Sequence, residues 1–415
     1  MTMSPAPLWT CTLVLFLGLV SPAVAGTRSP DASAALSLVW PPPPDSVRVR
    51  YLGELRGPKD LGRSGSWLTR AAQGLAGARS HEAAVLARPT DVYAEESTHV
   101  FVTDASTGKL HLFDYSTKTV RAIGSSGLGT LTKPLGLGGD GQGHVMVTDP
   151  PSGRVVVFTL DGRYVRAMGG PGVLLNPIDV AADPRSGEAW VVDSYLHQVV
   201  VFDSTGRVVR RIGKQKGSAP NHQALSQEPE PISGHGAPEP ATKIHVAGKR
   251  ASDVVENRGT ATGEFLYPIS ITRSPDGRYH VTDGLNGRVQ TFDAGGRFVS
   301  SFGQTGDTPG SLPRPKGIAS DTDGNLHVVD AAFNNVQVFS NSGQLLLSVG
   351  SLGQELGRFW LPLGIHIDRT NRIYVADRYN GRVQIFQYLS ASPAAPGGQS
   401  PGRDHRVASQ KGERP

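Results

Sequence analysis

Within six residues, the stretch VADRYNGRVQIF sets Asp377, Asn380 and Arg382 side by side. A carboxylate, an amide and a guanidinium that close are the parts of a general acid–base centre. A catalytic centre, however, occurs once in a chain, and this arrangement recurs. Aligned on its aspartate, it appears at Asp104, Asp149, Asp193, Asp283, Asp330 and Asp377, at intervals of 45, 44, 90, 47 and 47 residues. A basic residue stands five positions later in four copies (Lys109, Arg154, Arg288 and Arg382), and Gln198 and Asn335 replace it in the others. Repetition points to structure. An aspartate at a strand end accepts hydrogen bonds from N–H groups of the turn that follows. An arginine five residues on reaches that aspartate or a carbonyl of the same or next unit.

What differs between the copies has the better claim to chemistry. His366 lies on the first strand of the last unit, where the others place Tyr93, Gly138, Ala181, Thr272 and Ala319. Asp91 and Asp179 stand two residues after the proline that opens units one and three; Gly136, Ser270, Gly317 and Gly364 hold that position elsewhere. Two carboxylates among carbonyls suit Ca²⁺, and a histidine suits Zn²⁺; turn capping is the plain alternative. His280 and His327 share a slot that Phe101, Met146, Trp190 and Tyr374 fill elsewhere, which marks a bulky packing position. His222, His235 and His245 are irregularly spaced and read as loop histidines.

These residues are carried by a repeat. A proline opens each unit (Pro89, Pro134, Pro177, Pro268, Pro315 and Pro362), and a V-x-F triplet or its equivalent follows each aspartate. The fifth unit divides at Asp321-Thr322-Asp323-Gly324, Asp330 to Asn334 and Asn341-Ser342-Gly343 into four strands of about five residues. Four short strands per unit of about 45 residues is the pattern of a propeller blade. Blades stack to bury their faces, so six units predict an all-β, six-bladed β-propeller. The last unit ends after its third strand, and residues 47–55 have the alternation of an outer strand. They are expected to complete the sixth blade and leave no open edge.

The chain resembles the NHL-repeat family of six-bladed propellers over about residues 89–389. The resemblance rests on Pro315-Lys316-Gly317-Ile318-Ala319, Ile373-Tyr374-Val375-Ala376-Asp377, Asn286-Gly287-Arg288-Val289-Gln290 and Asn380-Gly381-Arg382-Val383-Gln384. More narrowly, Trp40 to Pro44, the R-P-K-G-I-A unit and Phe359 to Pro362 are similar to an exported bacterial subgroup of unsettled activity. Among NHL-type proteins the amidating lyases hold zinc with three histidines, and no three histidines here match that set. Cytosolic relatives bind RNA, which an exported protein would not meet.

Outside the repeat, Leu13 to Leu17 lies in an apolar run followed by Ala23-Val24-Ala25, the form of a signal peptide over residues 1–25. No Lys or Arg precedes the run, and an uncut anchor remains the alternative. The one cysteine, Cys11, falls within this segment, so a cleaved chain has no disulfide, thiolate or cysteine ligand. Residues 26–46 read as a Pro-rich linker. Within residues 56–88, Ser66 to Leu75 reads as a short amphipathic helix, packed on the rim or facing a partner or a membrane surface. Residues 214–262 account for the interval of 90 and have a composition that cannot bury a core. This insertion joins blades three and four on the face of the turns after each aspartate. Residues 390–415 read as a disordered tail.

The net charge of +5 over 415 residues is too mild to argue for nucleic acid. A phosphate-binding glycine loop, a G-x-S-x-G elbow and a haem motif are all missing. The expectation is an exported, monomeric, non-enzymatic scaffold that needs no cofactor. It has no membrane span once cleaved and binds a protein or polymer on the face of the insertion. The alternative is a lyase or lactonase-like enzyme with Ca²⁺ or Zn²⁺ at the channel mouth, held by Asp91, Asp179 and His366.

Overall fold

The computed structural model describes residues 38–61, 85–95, 98–213 and 258–390. The expected signal peptide, the 66–75 helix, residues 391–415, most of the insertion and the histidines at 222, 235 and 245 lie outside them.

The described residues form six antiparallel sheets, one per repeat. Blade 1 runs Pro89–Glu95, His99–Asp104, Lys109–Asp114 and Thr119–Ile123. Blade 4 runs Pro268–Arg273, Tyr279–Asp283, Arg288–Phe292 and Phe298–Phe302. Blades 2, 3 and 5 follow the same order from inner to outer strand. The inner strand of each blade packs beside those of its two neighbours, and that of blade 6 (Pro362–Ile367) meets that of blade 1. The core divides into six clusters, one between each pair of adjacent blades. This follows from the second and third strands, which are apolar on both faces, as in the wholly buried Ala189–Asp193 and Gln198–Phe202.

The ring closes at blade 6 with an N-terminal strand. Val49–Leu55 pairs antiparallel with Arg382–Tyr388, the third strand of blade 6. Within the stretch read as a linker, Val39–Trp40 adds a fifth strand outside it. Trp40 explains the addition: its ring packs edge-on against Phe386 at 5.7 Å, with Leu38 and Trp40 lying against the core between blades 5 and 6. A second departure is in blade 2, whose inner strand is only Leu137–Gly139 although Pro134 opens the unit. Gly136 and Gly138 lie flat against the carbonyls of Ile178 and Val180, and the Tyr93 ring crosses Gly139.

The turn between the second and third strands always ends in a left-handed residue, with φ from 53° to 66°. Four blades use Gly108, Gly153, Gly287 and Gly381; blades 3 and 5 use His197 and Asn334. A side chain in this region is strained. Both residues use theirs to reach the next blade: His197 Nδ1 accepts from the Tyr267 N–H at 3.0 Å, and Asn334 Oδ1 from the Leu361 N–H at 2.8 Å. Tyr267 and Leu361 are themselves left-handed, at φ 59° and 52°.

Candidate functional site

The recurring aspartates act as clamps. Asp377 accepts from the Trp360 N–H at 2.8 Å, Asn380 Nδ2 at 2.8 Å, Arg382 Nε at 2.7 Å and Gln384 Nε2 at 3.0 Å. Asp283 has partners at the same positions of its own repeat: Leu266, Asn286, Arg288 and Gln290. Asp104, Asp149, Asp193 and Asp330 accept from backbone N–H groups of the loop leading into their own blade, and each also binds its following turn. Six copies of one clamp are scaffold.

The arginines differ more than the repeat implies. Arg382, 1% exposed, joins Asp377 to Glu54 of the closing strand at 2.9 Å and to the carbonyls of Glu355 and Arg358. Burial alone would lower its basicity, but Glu54 and Asp377 outweigh that and raise it. Arg288 binds Asp283 and the carbonyls of Ala261 and Glu264. Arg154, expected to fasten Asp149, instead has Nε buried without a hydrogen-bond partner. Ser152 Oγ takes the second oxygen of Asp149, and Val156 stands where blades 4 and 6 have the glutamine that completes the network. That glutamine was the overlooked residue. Gln290, Gln337 and Gln384 each accept from a loop glycine N–H at 2.9 Å and donate back to a loop carbonyl, and their recurrence at one repeat position was the available signal.

The central channel contains a cavity of about 190 Å³, and Asp91, Asp179 and His366 all line it. The two carboxylates join blades. Asp91 accepts from its neighbour Val92 and from Leu137 of blade 2; Asp179 accepts from Val180, and from Ile271 and Ser270 Oγ of blade 4. Their glycine counterparts make room: a Cβ on Gly364 would lie 2.1 Å from Asp91 Oδ1, and one on Gly136 2.9 Å from Asp179 Oδ1. Burial, and then the charge of Asp179, push the Asp91 carboxyl well above the usual range; burial raises Asp179 to about 7 despite its hydrogen bonds. His366 hydrogen-bonds the Ala94 carbonyl of blade 1 through Nε2 at 3.0 Å and lies 4.7 Å from the Tyr93 ring; burial lowers its pKa to about 4.

Among the described residues, no three His, Cys, Asp or Glu side chains are grouped to hold a metal. The described histidines His280, His327 and His366 also do not fit a three-histidine zinc centre. His280 is held between Ser274 Oγ and Thr291 Oγ1, His327 by Asp321, and His366 by Ala94.

The face at the turns after the clamps has a different character. Trp360 and Tyr379 are 43% and 40% exposed and meet edge-to-face at 5.8 Å. The guanidinium of Arg88 lies 5.6 Å from the Tyr379 ring centre, and that of Arg378 5.8 Å. Across the face, Arg258 hydrogen-bonds His197, beside Tyr195 and Tyr267. Gly213 and Arg258, which bound residues 214–257, are both adjacent to His197.

A family model described as NHL repeat matches residues 359–386, which hold Trp360, Asp377, Tyr379 and Arg382. The last blade is an NHL repeat. The match falls within one blade of the six-bladed ring. No curated protein matches the sequence. Among solved structures, a protein of unknown function from Bacteroides thetaiotaomicron is 14% identical, with 82% of this chain and 75% of that one covered and a TM-score of 0.53. Virginiamycin B lyase from Staphylococcus aureus is 13% identical (73% and 96% covered, TM-score 0.46). A gluconolactonase from Xanthomonas campestris is 15% identical (73% and 87% covered, TM-score 0.44). At these identities the likeness extends to the fold alone, and an NHL repeat carries no fixed chemistry.

Proposed function

We propose that this propeller is a non-enzymatic binding module that takes a protein or polymer ligand across the face of the clamp turns. The observation that carries the reading is the exposed pair Trp360 and Tyr379 with Arg88 and Arg378 against it. Exposed aromatics and arginines are the residue types enriched where binding energy concentrates. The positions of Gly213 and Arg258 on this face support a contribution from residues 214–257 to specificity. We place the protein outside the cytoplasm on the reading of residues 1–25; N-terminal sequencing of the mature protein tests that, with Gly26 as the expected first residue. Among the described residues, no helix is long and apolar enough to cross a membrane.

A hydrolytic or lyase centre in the channel has less in its favour. The oxygens of Asp91 and Asp179 are engaged by backbone N–H groups and Ser270, and His366 is engaged by a carbonyl. Deletion of residues 214–257 separates the readings. Weakened capture of partners by the folded variant is the expected result, and unchanged capture removes those residues from the function.

A further inference from the structure

The turns of blades 5 and 6 gather cations that the structure leaves under-neutralised. Arg314 and Lys316 flank Pro315, where the inner strand of blade 5 begins, and Arg378 opens the turn of blade 6. Lys316 is partly buried, and its ammonium is destabilised to a pKa of about 8, first by burial and then by the charge of Arg314, with Arg378 adding to it. The carboxylate within reach is Asp330, whose oxygens already accept from the N–H groups of Arg314, Ala332 and Phe333. Arg378 Nε is buried with no hydrogen-bond partner. A guanidinium edge without an acceptor, beside an ammonium crowded by like charge, is an arrangement that an incoming anion would relieve. The hydrogen bonds Tyr379 N–H to Trp360 O at 3.1 Å, Leu361 N–H to Asn334 Oδ1 at 2.8 Å and Ala331 N–H to Arg314 O at 3.0 Å hold these turns together.

We propose that this surface cluster of Arg314, Lys316, Arg378 and Arg88 with Trp360 and Tyr379 binds the carboxylate of an acidic peptide side chain and seats a neighbouring apolar residue against Trp360. This rests on the face reading above and names its ligand class. The charge calls for an anion, and a guanidinium suits a planar carboxylate. The rings favour a peptide over a polysaccharide: Trp360 and Tyr379 are inclined at 65°, so they do not form the flat shelf that stacked sugars need. The cations favour it over a nucleic-acid strand, because Arg88 and Arg378 both lie against the single Tyr379 ring and do not form a track along a phosphate backbone.

The test is fluorescence anisotropy with the full-length protein and four labelled probes. They are a nine-residue peptide with a central Leu-Glu-Phe, the same peptide with Gln for Glu, an oligogalacturonate and an oligouridylate. The Glu peptide should bind, with affinity falling about tenfold or more on the change to Gln and by a similar factor in R378A and in K316M. R297A is the control; its side chain is 87% exposed and pairs with Asp293 in a different turn of blade 4, and it should bind as wild type. Equal binding of the Glu and Gln peptides, or wild-type binding by a folded R378A, overturns the proposal. If the oligogalacturonate or the RNA binds instead and W360A abolishes it, the acidic-peptide assignment fails while the face reading survives. If no probe binds the folded wild type, the assignment fails, and the face reading then rests on partner capture alone.

Discussion

Replacing Arg382 with alanine should cost about three times as much stability as replacing Arg154, although the two hold the same place in the repeat. Arg382 joins Asp377 at 2.7 Å, Glu54 at 2.9 Å and two carbonyls, and so ties the closing strand to the last blade. Removing one partner of a buried ion pair costs about 3–5 kcal/mol, because the other charge is left uncompensated. Asp377 would keep Trp360, Asn380 and Gln384, and Glu54 would keep Arg56, which points to the lower end, about 3 kcal/mol. Arg154 Nε has no partner to lose, so R154A should remove only the packing of its stem, about 1 kcal/mol. Urea denaturation followed by tryptophan fluorescence measures both. At about 2 °C per kcal/mol, R382A should melt roughly 6 °C below wild type. If the two variants agree within about 0.5 kcal/mol, the closure of the ring does not depend on Arg382 in the way described.

The buried pair Asp91 and Asp179 should make stability fall as pH rises. Both carboxyls are raised in the folded state, so their contribution is full below the unfolded value near 4 and is lost as pH climbs through about 7. Wild type should therefore lose stability relative to D91N between pH 4 and 8. The loss should be roughly 1.4 kcal/mol for each tenfold difference in proton affinity between the folded and unfolded carboxyl, and parallel curves would refute the linkage. Gly381 has φ 59° with the carbonyls of Leu86 and Ala87 3.2 and 3.3 Å from where a Cβ would sit, so G381V should cost about 2 kcal/mol in the same urea assay. Calcium and zinc measured after dialysis should be far below one per chain, since the channel carboxylates are already satisfied; a stoichiometric metal would revive the channel reading.

Much of the fold was legible because each blade repeats the same local solution. The V-x-D aspartates, the turn residues and the apolar strands announce themselves six times, and the strand shortfall of the last unit pointed to its replacement upstream. The fifth strand at Val39–Trp40 was hidden because Trp40 precedes four prolines, and its pairing depends on a ring contact with Phe386 more than 340 residues away. The left-handed backbone of His197 and Asn334 was not read, although Asp330 to Asn334 was read as a turn, because neither residue is glycine; bonds to Tyr267 and Leu361 compensate that conformation. Repetition also misled at Arg154, where the clamp lacks its glutamine. For the candidate site, the channel residues were found in sequence as the positions that break the repeat. The face of Trp360, Tyr379, Arg88 and Arg378 was not, because it is assembled from three separate segments.

The central claim is that this face binds. Quantitative capture of partners by wild type, by the folded variant W360A/R378A and by R297A tests it most directly. The account predicts that W360A/R378A loses its partners while R297A keeps them. Retention of the same partners by all three proteins would contradict it.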